Sequence, residues 1–169
     1  MKNRSKSVAI MGLFISLALI MAYIEVLIPP LFPSLPGIKM GLPNVIIIFL
    51  LYRRSAKSAI YVSLLRMVLV TLLFGNGMML LYSLAGGLLS IFIMILLRRI
   101  NFLSVVGVSV SGAVMHNVGQ VLMAMLLLET AEIGYYLVIL TLVGIATGVF
   151  VGLCGSALIN KVPERLMRF

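Results

Sequence analysis

An all-α integral membrane bundle of six transmembrane helices is the fold class this sequence predicts, and three observations predict it. Of 169 residues, 63% are hydrophobic and only 10% are charged, against about half apolar and about a quarter charged in a soluble domain. Mean hydropathy is +1.25. The apolar residues gather into six runs, with basic residues concentrated at every second boundary.

The first run, Val8 to Ile28, follows Lys2, Arg4 and Lys6. That flank is like a signal peptide's, but the apolar stretch is too long and no small-x-small cleavage site follows, so a retained helix is expected. Pro29 to Lys39 holds four prolines and a glycine, which stop a regular helix. The second run, Met40 to Tyr52, is short and carries Pro43 and Asn44. Its thirteen residues reach only ~20 Å as α-helix, short of a ~30 Å hydrocarbon core. Either the Pro-rich segment dips into the membrane or this is a half-helix. The third run, Ala56 to Phe74, is interrupted by Arg66, and the GNG turn, Gly75 to Gly77, leads to the fourth, Met78 to Leu97. The fifth is Leu103 to Leu128, the acidic ETAE segment follows at Glu129 to Glu132, and the sixth is Ile133 to Ile159. Without a linker or low-complexity tract, residues 1–169 read as a single transmembrane domain.

The chain carries 13 basic and four acidic residues, a net charge of +9. Such an excess is compatible with nucleic-acid binding, but its placement argues against it. Eleven of the 13 fall on one side if the chain crosses six times, and Lys39 and Arg66 are the two that do not. Cytoplasmic loops retain Lys and Arg, so a multi-pass cell-membrane protein with both termini cytoplasmic is expected.

Several chemistries are unsupported. The single cysteine, Cys154, forms no internal disulfide, and one histidine cannot build a multi-histidine metal site. There is no aspartate, no HExxH, no GxSxG and no CxxC. The nearest approach to a phosphate-cradling loop is GSALINK at Gly155, where Asn160 stands in place of the second glycine. Neither metal, cofactor nor enzyme activity is expected, and any ATP use belongs to another chain.

Polar residues inside the apolar runs are the candidate site, because an ionisable group within a span is costly and is retained for function. Arg66 lies ten residues past Ala56, ~15 Å deep. His116, Asn117 and Gln120 lie at helical spacings that share a face. Lys39 and Asn44 stand at the outer start of the second helix, Asn76 in the GNG turn and Tyr82 just inside it. Together they suggest an outward-opening pocket for a small, anionic, partly hydrophobic molecule, since arginine matches carboxylate and phosphate through its planar fork. The competing expectation is that Arg66 pairs with Glu25 or with helix-end carbonyls and only locks the bundle. The Pro29–Pro36 loop and the GNG turn are candidate lids. Small residues recur as Gly144, Gly148, Gly152 and Ser156 in the sixth run and as Ser109 and Ala113 in the fifth, a spacing that favours close helix packing. In the first helix, Gly12 with Ser16 and Ala18 with Ala22 suit either internal packing or a docking face for another membrane subunit.

The stretches KMGLPNVIIIFLLY, SAIYVSLLRMVLVTLLFGNG, LYSLAGGLLSIFIMILLRR and VVGVSVSGAVMHNVGQVLMAMLL resemble the heptaprenyl diphosphate synthase component I family, also called the Gx transporter family. That family resembles the substrate-binding S components of energy-coupling-factor (ECF) importers. The resemblance implies six membrane helices, a small ligand near the outer face, a transmembrane coupling subunit and two ATPases. It further implies that Ala18 and Ala22 contact the coupling subunit. The alternative is a non-catalytic membrane accessory or scaffold for prenyl diphosphate (isoprenoid or quinone) synthesis. A third reading is a membrane enzyme acting on a lipid head group. Trans-prenyl synthases hold magnesium on aspartate-rich motifs, which a chain without aspartate cannot supply.

Overall fold

The computed structural model describes residues 2–27 and 41–163. Lys39, the Pro29–Pro36 loop and the C-terminal Arg165 and Arg168 lie outside the described residues. The described residues form six α-helices and one 3-10 turn, with no strand. They are α1 (Lys2–Leu27), α2 (Asn44–Arg53), α3 (Ala56–Phe74), α4 (Gly77–Ile100), α5 (Val105–Leu128), the 3-10 turn Ala131–Tyr135 and α6 (Tyr136–Lys161).

Five of these helices are long and apolar enough to cross a membrane. The sixth, α2, has ten residues and rises ~15 Å, half of a ~30 Å hydrocarbon core. Of the two alternatives for the second run, the Pro-rich segment lies outside the described residues, and α2 is half-length, shorter than the apolar run Met40–Tyr52. Its start explains the difference. Gly41 adopts a left-handed backbone, φ 74°, which a residue with a Cβ enters only at a cost. Pro43 stands at the N-cap and lacks the N–H that would continue a helix backwards. The run is therefore broken at Gly41–Pro43 rather than helical from Met40.

A helix that is apolar on all sides is buried in protein or in lipid, and α2 is enclosed by protein. Val45 to Leu51 are seven consecutive buried residues, packed between α1, α3 and α6. The chain otherwise runs α3–α4–α5–α6 as successive packed neighbours, with α1 lying mainly against α3. Phe14 of α1 meets Phe49 of α2 at a ring distance of 5.6 Å, and Tyr23 meets Phe74 of α3 at 5.5 Å. Ser7 accepts a hydrogen bond from Arg54, just before α3. With contacts at both ends, α1 and α3 run parallel.

The basic residues gather at one end. Arg53 Nε donates to Ile159 O in the last turn of α6 at 2.9 Å. Arg98, in the last turn of α4, reaches Tyr52 O at 3.4 Å and lies 5.2 Å from the centre of the Tyr52 ring. Carbonyls in a last helical turn lack intrahelical donors and carry partial negative charge, so arginines there close helix ends as well as setting charge. Glu25, Glu129 and Glu132 stand towards the other end of the bundle.

The α4–α5–α6 half is drawn together by glycines. A Cβ on Gly119 would stand 2.7 Å from Ala85 O and 2.8 Å from Gly86 Cα, so α5 touches α4 backbone to backbone. The small-residue row of α6 packs inside the chain, as expected. Gly144 faces Ala113 and Asn117, Gly148 faces Val110 and Ala113, and Gly152 faces Val106 and Ser109. On α1 the small residues divide. Gly12 and Ser16 are exposed, whereas Ala18 and Ala22 are buried in the chain's own bundle. Of the two alternatives for the first helix, Ala18 and Ala22 take part in internal packing.

Gly119→Val is expected to lower the thermal unfolding midpoint in detergent by the equivalent of about 1–3 kcal/mol of overpacking, because the neighbouring atoms are backbone. Gly12→Ala meets nothing within 4 Å and is expected to leave the midpoint within about 0.5 kcal/mol of the parent.

Candidate functional site: a polar cavity above the short helix

Among the described residues, α2 fills only the basic half of the bundle, and the opposite half is lined by side chains from the surrounding helices. A cavity of about 100 Å³ occupies that space. Its wall takes Ala22, Glu25 and Val26 from α1, Gly41 and Asn44 at the head of α2, and Arg66, Met67, Val70 and Thr71 from α3. From α4 come Met79 and Ser83, from α5 Ala113, His116, Asn117 and Gln120, and from α6 Leu140, Val143 and Thr147. Polar groups from five helices thus meet above α2.

Arg66 is half-buried, and its Nε is fully buried with no hydrogen-bond partner among the described residues. Glu25 shares the cavity wall and is near enough to attract the guanidinium. Its carboxylate also accepts a hydrogen bond from Gly41 N–H. The acid expected only as a neutralising partner is therefore part of the wall, and it holds the turn that begins α2.

His116, Asn117 and Gln120 line one side of the cavity, as their spacing predicts. The α4–α5 contact sets their position: a Cβ on Gly86 would stand 2.6 Å from His116 O and 2.8 Å from Gln120 Cγ. Asn117 Nδ2 donates to Leu140 O at 2.6 Å. One end of this amide thus ties α5 to α6. Asn44 lines the floor.

Two expected site residues lie elsewhere. Asn76 is exposed at the N-cap of α4, where its Oδ1 accepts from Met79 N at 2.9 Å. It shapes a helix start, so the GNG turn is a capped corner whose own residues do not line the cavity. Tyr82 is absent from the wall, which takes Met79 and Ser83 from this helix. Thr71, Ser83 and Thr147 are wall residues that sequence reasoning missed. Hydroxyls recur throughout membrane helices as interhelical contacts, so nothing in the sequence separates these three from the rest.

The described residues have the architecture of a multi-pass helical membrane protein with a polar cavity enclosed by its helices. The chain belongs to the family described as heptaprenyl diphosphate synthase component I, whose model matches residues 14–158. No curated protein and no solved structure matches it.

Asn76→Ala is expected to cost about 1 kcal/mol of stability, the usual value of a lost N-cap. Any small molecule retained by the purified parent protein should be retained equally by this variant, as native mass spectrometry would read.

Proposed function

We propose that this chain is a membrane-embedded substrate-binding component of an ECF-type importer, taking a small, anionic, partly hydrophobic molecule. The observation that carries this reading is the buried Arg66 Nε without an acceptor on the wall of a polar cavity. A buried donor left unsatisfied costs about 1–3 kcal/mol, and more when charged. A carboxylate or phosphate supplies the acceptor in the planar geometry a guanidinium matches. Met67, Val70, Leu140 and Val143 on the same wall suit an apolar body, and His116 and Gln120 supply further polar contacts. Lys39, outside the described residues, remains in this reading as a second cation for the ligand.

With the basic end cytoplasmic, the cavity lies in the outer half of the cell membrane. Ligand then arrives from outside, and a transmembrane coupling subunit with ATPases supplies the energy for release inside. Gly12 and Ser16, exposed on α1, are the residues available to such a subunit.

A second reading is favoured by one observation, the family description, which names a synthase component. In that reading the chain is a non-catalytic membrane accessory to prenyl diphosphate synthesis, and the aspartates that hold magnesium come from the partner.

Native mass spectrometry of the full chain purified in mild detergent distinguishes the readings. The expected result is a retained small anionic molecule, with occupancy lowered at least about tenfold by Arg66→Gln, from the ~1.5–3 kcal/mol of a charged hydrogen bond. The unfolding midpoint shows that the variant is folded. Equal occupancy in a folded Arg66→Gln variant, or an empty parent that instead copurifies with a soluble synthase, overturns the importer reading.

A further inference from the structure

A second cleft, of about 280 Å³, lies at the basic end, opposite the polar cavity and independent of the function proposed for it. It is lined by Leu51, Ala56, Ile95, Arg98, Arg99 and Asn101. Leu51 is fully buried and Ile95 partly so, giving an apolar interior. Arg98 and Arg99 supply the charge. Their states differ: Arg98 is held by Tyr52 through one long hydrogen bond and the ring contact, whereas Arg99 is exposed at the same helix end. Ala56 is the first residue of α3, so the cleft receives the positive end of that helix's dipole beside the negative end of α4, which Arg98 and Arg99 offset. On the same end of the bundle lie Lys6, Arg53, Arg54, Lys57 and Lys161, with no acidic residue among the described residues of this end. Leu96 and Ile100, beside the arginines on α4, are exposed large apolar side chains.

Apolar depth, two guanidinium groups, a helix N-terminus and an apolar flank together match a phosphate carried on an apolar chain. Basic pockets between membrane helices on the cytoplasmic side hold anionic lipid head groups by this chemistry. We propose that this cleft binds the phosphate of an acidic phospholipid, with Arg99 and Arg98 as its cationic contacts and the lipid chains lying along Leu96 towards the membrane interior.

The test reconstitutes the full chain in vesicles of equal parts phosphatidylglycerol and phosphatidylcholine and counts retained lipid by native mass spectrometry. The parent is expected to enrich phosphatidylglycerol about fivefold, the fold-change that ~1 kcal/mol per basic group at an anionic surface represents. Arg99→Gln, at an exposed position, should bring the ratio close to one, and Arg99→Lys should retain most of the enrichment. Lys161→Gln, on the same end but outside the cleft, should change it less than about twofold. Displacement of the retained lipid by added inorganic phosphate would support the phosphate site and identify solution as a competing source. Equal retention of the two lipids by the parent overturns the proposal. So does unchanged enrichment in Arg99→Gln, or an equal loss in Lys161→Gln, which would reduce the effect to a general basic surface.

Discussion

A ten-residue helix rises ~15 Å in a hydrocarbon layer ~30 Å thick, and the remaining helices are arranged around what α2 leaves unfilled. In the basic half its buried run Val45–Leu51 supplies the core. Beyond the head of α2, among the described residues, side chains of α1, α3, α4, α5 and α6 converge on the cavity. Polar groups are tolerated there because a cavity shared by several helices is the place in a bilayer where they can meet one another, water or a ligand. Glu25 connects the two halves: it accepts from Gly41 at the turn that begins α2 and stands on the wall with Arg66.

The arginines divide into two physical kinds. Arg53 and Arg98 sit where helices end, and each bonds a last-turn carbonyl of a neighbouring helix. Those carbonyls lack intrahelical donors, so such arginines strengthen helix ends while keeping positive charge at one side. Arg66 is ten residues inside α3, far from any terminal carbonyl of its own helix, and its Nε has no acceptor among the described residues. A cation at that depth costs several kcal/mol. Arg53 and Arg98 have helix-end carbonyls as acceptors, whereas Arg66 lies mid-helix on the cavity wall with its Nε lacking one among the described residues, and this contrast in place is what favours the proposed binding role for Arg66.

Much of this was legible before any coordinates. Apolar length fixes α3 at Ala56–Phe74 despite Arg66, and the end of α5 at Leu128, and the face shared by His116, Asn117 and Gln120 follows from helical spacing alone. The row of Gly144, Gly148 and Gly152 announces a close packing face. What spacing cannot state is which neighbour a face meets. Ala18 and Ala22 read as either an internal packing row or a docking row, and their burial inside the chain depends on α1 packing against α3 and α2. Asn76 and Tyr82 have suitable chemistry, but one is spent on a helix cap and the other lies off the wall. Ser83 and Thr147 reach the wall only through the α4–α5–α6 arrangement, whose contacts are non-local.

The same contacts decide which wall of the cavity can yield. At about 100 Å³ the cavity is smaller than the ~300–1,000 Å³ typical of drug-sized ligands, so a molecule of vitamin size requires enlargement. Along α4, α5 and α6 the backbones meet at Gly86 with Gly119 and at Gly148 with Val110. Helices joined at that distance cannot shift singly without losing the contact that holds them. α2 is enclosed on all sides. α1 differs, because it lies mainly against α3 and meets α2 more lightly, while contributing Ala22, Glu25 and Val26 to the wall. Displacing the outer end of α1 would widen the cavity and release Gly41 from Glu25 in one movement. The helix that exposes Gly12 and Ser16 is also the one whose movement would alter the cavity, so in the proposed importer a subunit bound there would act on the cavity through α1.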